Sequence, residues 1–308
     1  MASSSCDLAN HRERLPGVSV GLSRITLLEP GVPAIYTPRM SEMLSHYDSV
    51  PEDERLKSAF GQLELARTQE LIQRHLAPPP AKILDVGGGA GVYSAWLGSL
   101  DYETHLIDPV PRHVESARRI SGIASANVGD ARKLTHADRS IDAVLLLGPL
   151  YHLVQQPDRR VALTEALRVL RPGGVIFAAA IVRFASMMDG LARGFLDDPQ
   201  FRAIVEQDLI DGQHHNPTGN PEYFTTTFFH RPEELFSEMR EAGFSRVEVV
   251  PVEGPVWLAS NFEARWRDSD KREHLLSLVR KVEREPDLLG VSPHLLAIAW
   301  KRESLRQS

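Results

Sequence analysis

Asp85, Gly87, Gly89 and Gly91 fall within the stretch "AKILDVGGGAGVYSAWLG", where an apolar run gives way to a helical pattern. Glycine lets a backbone take positive φ and approach a ligand closely, and the helix that follows offers unpaired N–H groups to an anion. Asp85 brings a charge into an apolar strand, which is costly unless the carboxylate is paired with a turn amide or answers an ammonium group. Asp108 closes the next apolar run, 23 positions further on, where a carboxylate can take both hydroxyls of a ribose. After a third run, Asp130 can accept a hydrogen bond from an adenine amino group. Tyr151 and His152 follow a fourth run, and His152, with its near-neutral reference pKa, is a candidate base. A histidine hydrogen-bonded inside a turn is the plainer alternative for it.

The elements that must position these groups alternate between period two and period 3.6. Strands are predicted at 82–86, 104–108, 124–130 and 141–147, the last ending at Leu147, with helices at 91–99 and 112–120 between them. Pro157 opens a further helix that "RPGG" at 171–174 stops before the strand "VIFAAAI". Repeated βα units imply a doubly wound, mostly parallel sheet in an α/β fold. Residues 183–230 are too long for a simple connection and read as an inserted lid, with His214 and His215 in it and His230 at its exit. Pro232 then starts a helix that Gly243 ends, and strands follow at 245–252 and 294–301. The charged stretch 263–287 between them reads as a solvated helical face. Ahead of the alternation, 1–40 reads as a loose arm and 41–80 as a helical cover ended by Pro78-Pro79-Pro80.

Composition narrows the partners. The 308 residues carry 35 basic and 41 acidic side chains, a net charge of −6, which argues against neutralising a polyphosphate backbone and so against nucleic acid. Cys6 is the single cysteine, so no internal disulfide or thiolate metal cage is expected and a reducing, cytoplasmic setting fits. No two histidines are three or four positions apart, and no metal is expected. The longest strongly apolar run, "VIFAAAIV", is far short of the roughly twenty residues a spanning helix needs, so a soluble protein with no membrane partner is expected. The G-x-S-x-G at 17–21 lacks a preceding strand and is read as chance.

Taken together, D-x-G-x-G-x-G at 85–91, Asp108, "GDA" at 129–131, "IDAVLLLGPLYHL" and "LRPGG" resemble the class I S-adenosylmethionine-dependent methyltransferases over about residues 81–182. The resemblance implies a seven-stranded sheet closed by an antiparallel hairpin, with S-adenosylmethionine as cofactor. It implies that Gly87 and Gly89 approach the methionine part, that Asp108 holds the ribose, and that Asp130 with Ala131 borders the adenine. It also implies an N-terminal segment folded across the pocket, for which Tyr47 and Arg67 are candidates. Arg67 pairs either with the cofactor's carboxylate or with Glu64 and Glu70 on the helix surface.

Two rival functions share this architecture. A nicotinamide-dependent oxidoreductase needs G-x-G-x-x-G or its alanine variant, but Val92 or Ser94 occupies the sixth position, and Asp85 would repel a pyrophosphate. A cofactor-binding protein without methyl transfer is the other. For the acceptor, Gly148-Pro149-Leu150-Tyr151 lacks the amide or acid with which nucleic-acid amino methyltransferases hold an amine. The Met- and Phe-rich lid suits a small apolar or aromatic molecule, with His152, Tyr151 and His230 as the candidate catalytic residues and O-, N- and C-methylation all open.

Overall fold

Apolar runs buried on both faces set the architecture. A computed structural model describes residues 55–303. Tyr47, the arm at 1–40, the first part of the helical cover and the G-x-S-x-G at 17–21 lie outside the described residues.

The chain enters through α1 (Ala59–Gln73), with Ser58 accepting the Gly61 N–H as its cap. Then β1 (Lys82–Val86), α2 (Val92–Gly98), β2 (Glu103–Asp108), α3 (Pro111–Arg118), β3 (Ile123–Val128) and β4 (Ile141–Leu146) follow in turn. A short α4 (Pro149–His152), α5 (Gln156–Val169) and a long β5 (Leu170–Val182) complete the parallel part, in the order β3-β2-β1-β4-β5.

Residues of opposite parity feed two cores. Leu84, Val86, Val144, Leu146 and Ile176 pack with Ala162, Leu163 and Ala166 of α5 on one face. Ile83, Ala143, Leu145 and Phe177 pack with Leu71 and Ile72 of α1 and Leu97 of α2 on the other. A parallel sheet covered on both faces needs such runs, because each strand must be apolar on both sides. Lys301 ties the end of α5 to the sheet by donating Nζ to the Leu167 and Leu170 carbonyls, both at 2.7 Å.

Beyond β5 the chain forms α6 (Ala185–Arg193), α7 (Pro199–Asp211), and the short strands β6 (Gln213–His214) and β7 (Thr227–His230). β4 pairs with β5 as far as Ala178, after which β7 takes up that edge against Ile181 and Val182. α8 (Pro232–Glu241) and β8 (Ser245–Pro251) come next, then α9 (Phe262–Arg267) and α10 (Ser269–Val282), and β9 (His294–Trp300) lies antiparallel between β5 and β8. The expected hairpin thus closes a seven-stranded array to which the β6-β7 ribbon is added.

Two sequence expectations change. The stretch read as one solvated helical face is two helices broken at Asp268, whose carboxylate caps α10, and Leu275 and Val279 bury against Leu63, Trp257 and Trp266. Part of the inserted segment's aromatic content is turned inward on itself. Phe195, Phe201 and Tyr223 meet each other at ring-centroid distances of 4.7–5.4 Å, and with Ile204 and Val205 they form a small core of their own.

His230 is fully buried beneath the sheet rim, with Nε2 3.3 Å from Glu238 Oε2. Glu238 is also forked by the buried Arg159 at 2.6–3.1 Å, and Arg159 lies 3.8 Å over the Phe228 ring. Burial would raise the Glu238 pKa, but His230 and Arg159 hold it at about 2 against an ordinary 4.5. Its contribution to stability is therefore complete above about 4.5 and lost as pH falls through about 2. Glu238→Gln leaves the Arg159 cation without its counter-charge and is expected to cost about 3–5 kcal/mol in urea unfolding near neutral pH. The gap from wild type should close as the pH falls into that acid range, and a gap independent of pH would contradict the assignment.

Candidate ligand-binding site

The carboxyl ends of β1, β2, β3 and β4 open onto one cavity of about 580 Å³. That volume lies in the range of small-molecule sites, about 300–1,000 Å³. Asp85, Gly87, Gly89, Asp108, Asp130, Ala131, Leu147, Tyr151 and His152 all line it, so most of the candidates chosen from the sequence converge.

The glycine turn is held from within. The Gly87 N–H donates to the Ile107 carbonyl at 2.7 Å, the Gly91 N–H to Gly88, and the Gly89 N–H to Asp108 Oδ2 at 2.9 Å. These amides organise the turn, whereas the sequence had suggested N–H groups aimed at a ligand. Gly89 has φ +56° and nothing within 4 Å of the position a Cβ would take, so a side chain there would project into free space on the cavity wall. Gly87 has φ +72°, and its Cβ would stand 2.8 Å from the Pro149 ring, which lets the first and fourth strand ends close together.

Asp108 is only 4% exposed. Besides Gly89 its carboxylate accepts from the Val110 N–H at 2.9 Å and lies 3.2 Å from His113 Nδ1. A carboxylate has about four acceptor positions, so capacity for a hydroxyl on the cavity side remains. Asp130 is forked by Arg132, through Nε at 3.0 Å and a terminal nitrogen at 2.6 Å. Burial would raise the Asp130 pKa, but the Arg132 bonds outweigh it and keep the carboxylate ionised.

Asp85 is 1% exposed, and its Oδ2 accepts from Ser94 Oγ at 2.8 Å. Burial pushes its pKa up to about 6; the Ser94 bond opposes this and nearby Asp108 adds to it. A carboxyl held in that state is stabilised by an incoming cation. Two acids able to take a hydroxyl or an amino group, a third poised for a cation, and an open glycine wall fit a nucleoside with a cationic side chain.

Two candidates lie off the cavity. The Arg67 side chain is fully buried, bonding Glu70 and Glu283 at 2.7 Å each and the Val252 carbonyl at 3.3 Å. It staples α1 to the chain beyond β8, a role the helix pattern does not reveal because Glu283 is 216 positions away. His230 is spent on Glu238, and burial lowers its pKa, so it is a neutral packing residue. His214, placed by the sequence in the inserted lid, is buried as well, between Asp208 Oδ2 at 2.8 Å and the Tyr223 carbonyl at 2.7 Å.

Sequence reasoning missed one wall. Arg55, Glu64 and Thr68 from the α1 region, Val252 beyond β8, and His294 at the start of β9 complete the cavity, and Thr226 is the contribution of the inserted segment. The signal for His294 lay in its place: a strand antiparallel to its neighbours begins where theirs end. Among the described residues, Glu64, Glu253 and His294 bring ligand-type atoms within 4.8 Å of one another. Arg55 already donates to both Glu64 oxygens and His294 pairs with Glu253, so the cluster is neutralised without a metal ion.

The sequence model of a family described as a methyltransferase domain matches residues 84–178. Methyltransferase GfsG of Streptomyces halstedii is 36% identical over 146 residues, 45% of this chain and 48% of the relative. A ubiquinone biosynthesis O-methyltransferase of Methylocella silvestris is 33% identical over 124 residues, 38% of this chain and 47% of the relative. These matches thus span about half the length of the curated relatives. A solved structure from Thermotoga maritima, titled as a SAM-dependent methyltransferase and possible histamine N-methyltransferase, superposes with a TM-score of 0.51 at 20% identity. It covers 84% of this chain and 100% of that one, and shows the fold.

A buried carboxyl with a raised pKa binds its proton more tightly folded than unfolded. Its effect on stability is most favourable below about 3.8, declines as pH rises through about 6, and stays a penalty above that. Asp85→Asn keeps an acceptor for Ser94 and removes the penalty. The ligand-free variant is expected to be more stable at neutral pH by something on the order of 2 kcal/mol, read as a higher Tm. An unchanged or lower Tm would show that Asp85 is not held at such a cost.

Proposed function

We propose that this chain, which carries a class I S-adenosylmethionine-dependent methyltransferase domain, transfers a methyl group to a small molecule bound in the cavity described above. The observation that carries the reading is the convergence of Asp85, Asp108, Asp130 and the glycine turn on one cavity at the strand ends.

In this reading Asp108 accepts the ribose hydroxyls and Asp130, with Ala131, borders the adenine. Gly87 and Gly89 leave room for the methionine part, whose positive charge Asp85 answers. Bound there, S-adenosylmethionine supplies a methyl group that its sulfonium makes electrophilic. The chain's task is then to align an acceptor and keep water out. Leu147, Tyr151 and His152 form the wall beyond β4 against which the acceptor sits, and any proton it sheds passes to His152.

The acidic rim also sets the choice of cofactor. A dinucleotide pyrophosphate brought beside Asp85 would meet like charge, whereas a sulfonium meets its opposite. A cavity of this size, and relatives that include an O-methyltransferase of ubiquinone biosynthesis, support a small acceptor. Among the described residues no helix is long and apolar enough to cross a membrane.

Calorimetry is expected to show S-adenosylmethionine and its demethylated product binding the full chain, with NADH giving no heat. Asp108→Ala should weaken the cofactor by about 1.5–3 kcal/mol, the worth of hydrogen bonds to a charged group. Binding of NADH in preference, or unchanged affinity in Asp108→Ala, would remove the reading. Affinity for the cationic cofactor should also fall as pH drops below about 6, where Asp85 takes up its proton, and Asp85→Asn should abolish that dependence.

A further inference from the structure

The wall that the sequence did not foretell is assembled from three distant pieces of chain around one imidazole. His294 opens β9, and its Nδ1 lies 2.6 Å from Glu253 Oε1. Glu253 is 4% exposed and is fixed in turn: its Oε2 accepts from Ser292 Oγ at 2.8 Å and from the His294 N–H at 3.0 Å. Ser292 Oγ takes the N–H groups of Glu253 and Gly254 at 3.0 and 3.1 Å. A buried carboxylate with this many bonds orients the ring rather than filling space.

From α1, Glu64 approaches the same ring nitrogen at 4.0 Å, and Arg55 forks Glu64 from the far side. Burial would lower the His294 pKa, but Glu253 and Glu64 raise it to about 9. At neutral pH both ring nitrogens therefore carry protons. Nδ1–H is committed to Glu253. Nε2–H has no hydrogen-bond partner among the described residues, while His294 lines the cavity with 23% of its side chain exposed.

An imidazolium offers donors and no lone pair. It repels an ammonium ion and cannot take a proton from a neutral amine. What it binds well is an oxygen with negative charge, through a charge-assisted hydrogen bond. We propose that His294, oriented by Glu253, is an acceptor-binding residue whose Nε2–H holds an anionic oxygen, a carboxylate or an ionised phenol, so that the site selects oxygen acceptors over amines. The inference rests on the methyltransferase reading and deepens it. An acceptor that arrives ionised has no proton to shed, and the surrounding charges suit it: Glu253 sits behind the ring, and Glu64 is already covered by Arg55.

The test uses the full chain labelled with 15N-histidine and saturated with S-adenosylhomocysteine, at about pH 8, where both probe anions are ionised. The probes are benzoate and 4-nitrophenolate, with the neutral isosteres benzamide and 4-nitroanisole as controls. Saturable displacement of the His294 Nε2 resonance by one or both anions is expected, and the pair distinguishes a carboxylate site from a phenolate site. The neutral probes should leave the resonance unmoved. His294→Gln and Glu253→Gln should weaken the anion by about tenfold or more while cofactor affinity stays intact.

The proposal is overturned if neither anion moves the resonance, if the neutral probes bind as well, or if His294→Gln binds the anions as tightly as wild type. If S-adenosylmethionine itself fails to bind the same preparation, the methyltransferase reading falls and this inference with it. If it binds and the anions ignore His294, only the inference falls.

Discussion

The carboxylate of Asp108 is the joint on which the rim of the sheet depends. It sits at the end of β2, takes the Gly89 N–H from the turn after β1 and the Val110 N–H ahead of α3, and still faces the cavity. One side chain thereby fixes two adjacent βα turns relative to each other. Its burial is affordable only because each of these bonds is made, since an unpaired carboxylate in that position would carry a desolvation penalty of several kcal/mol. The turn that would cradle a ligand is thus formed before any ligand arrives, which lowers the ordering cost of binding.

Charge at this rim is held under tension. Asp85 lies close enough to Asp108 for their repulsion to reinforce the effect of burial, and Ser94 offsets only part of it. The ligand-free fold therefore stores an electrostatic cost that a cation relieves. On the opposite wall the pattern inverts: Glu253 and Glu64 hold His294 as a cation, and Arg55 balances Glu64. A cavity with an acidic side and a donor-only imidazole suits a positively charged donor and a negatively charged acceptor meeting between them. The apolar remainder of the wall, including Leu147, Val252 and Ala179, would shield such an encounter from bulk water.

How far the sequence reached depends on how local each signal was. β1 at Lys82–Val86 and α8 at Pro232–Glu241 match their predicted bounds because period, proline and glycine all act within a few residues. Asp85, Asp108 and Asp130 stood out in the sequence for the same reason, each an acid within or just after an apolar run. Arg67 keeps the expected Glu70 bond, but its burial against Glu283, like the burial of His230 and His214, is set by tertiary structure rather than by neighbours in sequence. His294 and Glu253 were invisible as a pair because 41 positions separate them and only the antiparallel return of β9 against β8 brings them together. The inserted segment shows the same limit: a run of Met and Phe states that something is buried, not what buries it.

A crystal structure of the full chain with S-adenosylhomocysteine tests the central claim most directly. The account predicts the ribose hydroxyls on Asp108, the adenine beside Asp130 and Ala131, and the sulfur turned toward the wall formed by Tyr151, His152 and His294. A nucleoside lodged elsewhere, or in this cavity with its ribose away from Asp108, would contradict it.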